Sequence, residues 1–232
     1  VQSNPFDRLA DRYDAWYDSD EGSEIFAAEV ACVAQLLGEP RGRWLDVGVG
    51  TGRFAKALGI VDGLEPSLPM LSLAAARGIR GVVGRGESLP YPDSRFDGVL
   101  LIVTICFLDD PVRALSECAR VLTKDGSLVL GMVPADSPWG RFYQRKGREG
   151  HPFYAIANFY SCEEVIQMAG RAGLVLDEAM SCLFGAPRET GNRIGGPRSG
   201  LVPNAGFVGL RFSLREEERA ASSDQPLVAA DP

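Results

Sequence analysis

The chain has 232 residues, 45% of them hydrophobic, and 24 lysines and arginines against 31 aspartates and glutamates give a net charge of −7. That length suits one α/β domain with a modest insertion, and an acidic balance argues against nucleic acid as the main partner, since phosphate contacts need clustered Lys and Arg. No apolar run approaches the roughly 18 residues that span a bilayer. The first residues hold neither the basic nor the apolar part of a secretory signal. Five scattered cysteines form no C-x-x-C pair and His151 is the one histidine, which argues against a zinc site and for reduced thiols. The expectation is a cytoplasmic protein with no metal, no membrane partner and no nucleic-acid partner.

Residues 5–18 space Phe6, Leu9, Tyr13, Trp16 and Tyr17 as a helix does, and residues 23–37 form a second amphipathic helix with Ser23 as its cap. RGRWLDVG then reads as a short buried strand, and helical spacing resumes from Thr51 to Leu58. IVDGLEP is a second strand, followed by a helix in SLPMLSLAAARG that Gly78 ends. IRGVVG is a third strand, and FDGVLLIVTI is a fourth, apolar on both faces like a central parallel strand. A helix from Asp110 to Leu122 carries Pro111 in its first turn, and GSLVLGMV is a fifth strand. After a helix in CEEVIQMAGRAG, the strands LVLDEAMSCLF and AGFVGLRF follow with no helix between them, which predicts an antiparallel pair at one edge of an otherwise parallel sheet. Residues 134–160 are aromatic and rich in Gly and Pro, and read as a lid or substrate wall. Residues 216–232 read as a disordered tail. The division expected is a helical cap over 1–38, a core over 39–215 holding that insertion, and the tail.

The stretch RWLDVGVGTGRF sets Gly48, Gly50 and Gly52 at alternate positions where the first strand hands over to a helix. Bare backbone there lets a ligand approach closely, and the helix start offers free N–H groups. Glu65 ends the second strand, 19 positions after Asp46, where a carboxylate can accept hydrogen bonds from ribose hydroxyls. A dinucleotide fingerprint would need glycine at position 53, which is Arg53.

WLDVGVGTGRFA, then GLEPSLPML, GRGESLPYPDSRFDGVLL and DDPVRALSECARVLTKDGSLVLGMV together resemble the class I S-adenosylmethionine-dependent methyltransferases, within them the methyltransferase type 11 group. The resemblance implies a doubly wound, Rossmann-like α/β fold, a seven-stranded sheet with an antiparallel last strand beneath an aromatic helical and loop cap. It implies S-adenosylmethionine as cofactor, with Gly48, Gly50 and Gly52 along its methionine and ribose end. Asp46 then helps orient the methionyl ammonium, Glu65 holds the ribose diol, Pro66 is a further cofactor-side residue, and Met70 packs on adenine, although as a helix-face residue it equally fits a core. The acid that usually follows the third strand is replaced by Arg85, so Gly86 and Glu87 remain the adenine-side candidates, with a turn-capping role open for Glu87. Thr104 and Cys106 end the fourth strand, beneath the sulfonium. Cys106 has no cationic neighbour in sequence and reads better as a small buried hydrophobe than as a nucleophile.

Tyr13, Trp16 and Tyr17 on the first helix and Trp139, Phe142 and Tyr143 in the insertion are the expected wall of a substrate pocket, with Cys106 at its floor. His151, Tyr17 and Tyr13 are the weak candidates for a catalytic base. The expected function is methyl transfer to a small-molecule acceptor by in-line displacement. A cofactor-binding regulatory or partner protein without activity is the alternative, and a nicotinamide oxidoreductase is disfavoured by Arg53. A homodimer is left open.

Overall fold

The structure is a computed structural model that describes residues 4–187 and 195–215. The expected tail, 216–232, lies outside the described residues. Three helices open the chain: α1 (Pro5–Arg8), α2 (Ala10–Trp16) and α3 (Asp20–Leu37). Residues 5–18 are therefore two helices, broken at Leu9, whose φ of −126° is not helical. The cap of α3 is Ser19, which accepts a hydrogen bond from Gly22 N–H. The expected cap, Ser23, lies inside the helix and donates to Asp20 O instead. Starting at this earlier cap, the helix gains an acidic first turn, Asp20 and Glu21, which the positive helix start favours.

The alternating segments follow as β1 (Trp44–Val47), α4 (Arg53–Ala57), β2 (Asp62–Glu65), α5 (Leu68–Ala76), β3 (Arg80–Val83), β4 (Phe96–Ile102), α6 (Pro111–Val121) and β5 (Leu122–Met132). The insertion folds mainly as a helix, α7 (Pro138–Arg148), capped by Ser137, with a 3-10 turn at Tyr154–Ile156. Then come α8 (Cys162–Arg171), β6 (Leu174–Cys182), β7 (Arg198–Ser199) and β8 (Phe207–Leu214).

The sheet runs β3-β2-β1-β4-β5-β8-β6-β7. The first five strands are mutually parallel, and β8 is antiparallel to both β5 and β6. Seven strands carry the expected fold. The eighth is the two-residue β7, too short to leave a period-2 signature in sequence. β6 and β8 form the expected antiparallel pair toward one edge of the sheet, with β8 on the inner side, between β5 and β6.

Side chains of β4 alternate between two cores, as strand geometry requires. Val99 and Leu101 pack with Leu115 and Cys118 of α6 and Val165 of α8, whereas Leu100 and Ile102 pack with Cys32, Val33 and Leu36 of α3. The segment expected as a helical cap therefore divides. α3 is a core helix, while α1 and α2 stand near the strand ends. β1 and β4 are paired at the centre, with β2 on the far side of β1, so the β1–α4 turn, the end of β2 and the end of β4 converge at one rim of the sheet.

Candidate active site

The glycine turn is built by backbone. Gly48 and Val49 N–H groups both donate to Leu64 O at 2.8 and 3.0 Å, which fastens the turn to β2. Gly48 and Gly50 take φ values of +76° and +55°, accessible to glycine without a Cβ clash. Glu65 closes the arrangement: its Oε2 accepts from Gly50 N–H at 3.0 Å and its Oε1 from Ser67 N–H at 2.9 Å. Each carboxylate oxygen thus keeps a lone pair for a further donor. Burial raises the Glu65 pKa, partly opposed by these two N–H groups.

A cavity of about 830 Å³ opens over this turn. Gly48, Gly50, Glu65, Pro66, Met70, Glu87 and Thr104 border it, seven of the ten residues expected on the cofactor side. Asp46 lies beside it, in a small recess shared with Gly48 and Gly50. Its Oδ1 is buried without a hydrogen-bond partner, and burial, then the charge of Glu65, push its pKa up to about 7. An orphaned buried carboxylate oxygen is costly unless a ligand donor meets it. Gly52 and Gly86 do not reach either space: a Cβ on Gly52 would meet Ile79 and Ala74, and one on Gly86 would meet Leu108 and Val47. Both are packing glycines of the turns. Glu87 does cap a turn, accepting from Asp109 N–H at 2.9 Å, while also bordering the cavity.

A second cavity of about 420 Å³ adjoins the first and shares Tyr13, Val103 and Phe107 with it. Tyr13, Trp16, Tyr17, Cys106 and Tyr143 line it as expected, joined by Phe153, Tyr154, Phe159 and Tyr160. Trp139 does not: it is buried, donates from its indole N–H to Gly185 O at 2.9 Å and packs on Gly206. Phe142 does not either, since its ring lies under Arg145 and Lys146. Val103 has φ +51°, rare for a β-branched residue, at the point where the two cavities meet. Such strain gathers at functional sites.

The three candidate bases all border the aromatic cavity. The hydroxyls of Tyr13 and Tyr17 are 3.0 Å apart. Burial pushes Tyr13 up to about 12 and raises Tyr17 well above the usual phenol range, so both stay phenols at neutral pH and are donors or walls rather than bases. His151 stacks on Tyr154, ring centroids 4.3 Å apart, with its Nδ1 buried and unpartnered. Burial, then the charges of Arg12 and Lys146, lower its pKa and so favour the neutral imidazole. Cys106 donates its thiol to Val103 O, and burial pushes its pKa up to about 12, which removes the nucleophile reading.

Among the lining residues outside the sequence-based expectation, one is both charged and buried. Glu29 of α3 is only 6% exposed and borders the aromatic cavity. Its signal is in the sequence: Ile25, Glu29, Cys32, Val33 and Leu36 share the inward stripe of α3, and a carboxylate on that stripe is out of place. Burial pushes its pKa up to about 8.

Residues 45–130 match a family model described as a methyltransferase domain. A solved structure from Thermotoga maritima, described as an S-adenosylmethionine-dependent methyltransferase and possible histamine N-methyltransferase, superposes with a TM-score of 0.82 at 37% identity, over 90% of this chain and 97% of that one. An uncharacterized protein of Mycobacterium tuberculosis is 36% identical over 95% of this chain and 76% of its own length. A demethylmenaquinone methyltransferase of Thermotoga maritima is 26% identical over 72% of this chain and 85% of its own. With the carboxylate at the end of β2 and the orphaned Asp46 oxygen set beside the glycine turn, the chain belongs to the S-adenosylmethionine-dependent methyltransferases, an enzyme of that class with S-adenosylmethionine as its cofactor.

Proposed function

We propose that the enzyme methylates a small acceptor held in the aromatic cavity, with the cofactor in the cavity over the glycine turn. The observation that carries this reading is the shared wall: Tyr13, Val103 and Phe107 border both spaces, so a donor in one lies beside an acceptor in the other. S-adenosylmethionine, when bound, supplies a methyl group already activated on a sulfonium.

The chain's own residues then have to position and to exclude water. Glu65 holds the ribose diol with its two free lone pairs, and Asp46 Oδ1 takes a donor from the methionyl end. Met70, 1% exposed, offers an apolar face to the adenine. Gly48 and Gly50 let the cofactor backbone lie against the turn. Thr104 Oγ1 donates to Ile102 O at 3.0 Å, which fixes the backbone just past β4 where it borders the cavity that would hold the cofactor.

A volume of 420 Å³ is within the range of small-molecule sites, about 300–1,000 Å³. The names of two relatives, a demethylmenaquinone methyltransferase and a possible histamine N-methyltransferase, also point to small acceptors. The net charge of −7 disfavours an RNA acceptor.

Calorimetry with S-adenosylhomocysteine tests the cofactor half. Glu65→Gln leaves one of two backbone N–H groups facing a donor, a loss of about 1–3 kcal/mol, so binding should weaken roughly tenfold or more. Undiminished binding overturns the assignment of Glu65. Transfer of labelled methyl to extractable small compounds, and not to protein or RNA in the same extract, tests the acceptor half.

A further inference from the structure

Glu29 is the one carboxylate bordering the aromatic cavity, and no hydrogen bond or ion pair holds it among the described residues. The titratable groups that face it are the phenols of Tyr13, Tyr17, Tyr143 and Tyr154 and the thiols of Cys32 and Cys182. None is a cation. Arg12 borders the same cavity but is exposed, where water and salt screen its charge. His151 also borders it, and burial with the charges of Arg12 and Lys146 shifts its ring toward the neutral form.

An acid in such a place does nothing for the fold that a leucine would not do better, because a buried unpaired carboxyl costs stability. The rings around it are equally specific in what they favour. Aromatic faces attract cations, most strongly when water is excluded, and a carboxylate supplies the full opposing charge. Neutral acceptors such as alcohols would use the rings but not the acid, and anionic acceptors would be repelled by it.

Resting on the reading that this cavity holds the acceptor, we propose that the acceptor is an amine, that it enters as an ammonium ion, and that Glu29 is the residue that binds it and takes its proton. The ammonium N–H bond breaks, its proton passing to a Glu29 oxygen and its electron pair staying on nitrogen. That pair forms the new N–C bond as the S–C bond of the sulfonium breaks and its electrons remain on sulfur. The products are the N-methylated amine and S-adenosylhomocysteine. Protonation of Glu29 fits its surroundings, since burial favours the neutral acid.

The free and bound states also differ in protons. An alkylammonium has a pKa of about 10, like a lysine. Below the raised pKa of Glu29, the free acid holds its proton and the free amine is an ammonium, whereas the complex pairs a carboxylate with that ammonium. Binding at pH 6–7 therefore releases close to one proton, and the release fades as the pH rises past about 8 and Glu29 is already ionised.

The test is calorimetry of the full chain saturated with S-adenosylhomocysteine. The probes are 2-phenylethylamine, 2-phenylethanol and 3-phenylpropionate, in two buffers of different ionisation enthalpy, for the wild type and Glu29→Gln. The amine should bind at least tenfold more tightly than the alcohol, with proton release at pH 6.5. Glu29→Gln should lose both while keeping its S-adenosylhomocysteine affinity within about threefold, which also shows that it is folded. Alcohol or carboxylate binding as well as the amine, with no effect of Glu29→Gln, overturns the amine but leaves the cavity as an acceptor site. Binding of none of the three overturns both. Amine binding without proton release overturns the assignment of the proton to Glu29.

Discussion

The guanidinium of Arg53 grips both oxygens of Asp14, Nε to Oδ1 at 2.8 Å and a terminal nitrogen to Oδ2 at 2.9 Å. Arg53 opens α4, directly after the glycine turn, and Asp14 lies on α2 beside Tyr13. The same carboxylate accepts from Arg77 at 2.6 Å, and Asp18 holds the outer edge of Arg53. So the residue that breaks a dinucleotide fingerprint has a positive role, locking the helix that carries Tyr13 and Trp16, and Tyr17 at its end, onto the glycine turn. Fork-to-fork pairing of this kind is among the stronger ionic contacts.

Burial alone would raise the Asp14 pKa, but hydrogen bonds from Arg53, Thr51 and Arg77 outweigh it and hold it at about 2, against 3.8 for an ordinary aspartate. A depressed acid contributes stability that is present above the unfolded value and lost as the pH falls. The window is about pH 4 down to about 2, and a shift of that size corresponds to about 2 kcal/mol. Asp14→Ala should therefore loosen α2 by about 2 kcal/mol at pH 7, seen as faster amide exchange in residues 10–16, and should raise the KM of the acceptor more than it lowers kcat. Unchanged exchange in α2 would show that the aromatic contacts, not the clamp, hold the helix.

Arg85 stands where the resemblance implies an acid, and its partners explain why the substitution is tolerated. Its guanidinium meets Asp109 at 2.5 Å and Glu87 at 3.6 Å, so two carboxylates already stand at this edge of the cavity. Arg85→Asp would bring a third. Cofactor affinity should fall several-fold at low salt, with the difference shrinking as salt screens the cluster. A gain in S-adenosylhomocysteine affinity would show instead that the adenine edge lacks an acid.

Much of this is legible in the sequence because it is local. The glycine turn, the carboxylate 19 positions on and the β-α alternation are properties of short segments, and the seven segments of the main sheet follow from them. What is not legible depends on which distant segment covers a residue. Gly52 and Gly86 have the spacing of cofactor glycines, but Ile79 and Leu108 occupy the space against them. Trp139, Phe142 and Tyr143 fall within five residues of sequence, yet the first packs on Gly206, the second lies under Arg145 and the third lines the cavity. Glu29 escapes a reading in which its helix is a cap with one face in water, whereas α3 lies on the sheet.

Cys106 separates chemistry from packing. Its buried thiol, held to Val103 O, has no thiolate population at neutral pH. Cys106→Ala should keep kcat within a few-fold and cost about 1 kcal/mol from the lost sulfur contacts. Iodoacetamide should leave wild-type activity intact. A hundredfold loss in the alanine variant would restore a covalent role.

Gly48 and Gly50, two of the three left-handed glycines of the turn, should fail differently when given a methyl group. At Gly48, φ is +76° and a Cβ would lie 2.4 Å from Thr104 Cγ2 and 2.6 Å from its Oγ1. Thr104 cannot simply retreat, because its hydroxyl also bonds Ile102 O and reaches Gly48 O at 3.3 Å. Gly48→Ala should thus destabilise the fold by more than the roughly 1–2 kcal/mol of the left-handed backbone alone. At Gly50, φ is +55° and no atom lies within 4 Å of the added carbon. Gly50→Ala should cost only about 1 kcal/mol in stability. Its methyl, however, stands in the open space that the cofactor is proposed to fill, so S-adenosylhomocysteine binding should drop at least tenfold. Thermal unfolding and calorimetry on the pair would then give opposite rankings, Gly48→Ala worse in the first and Gly50→Ala worse per unit of lost stability in the second. A single ranking in both would mean that the turn serves packing alone.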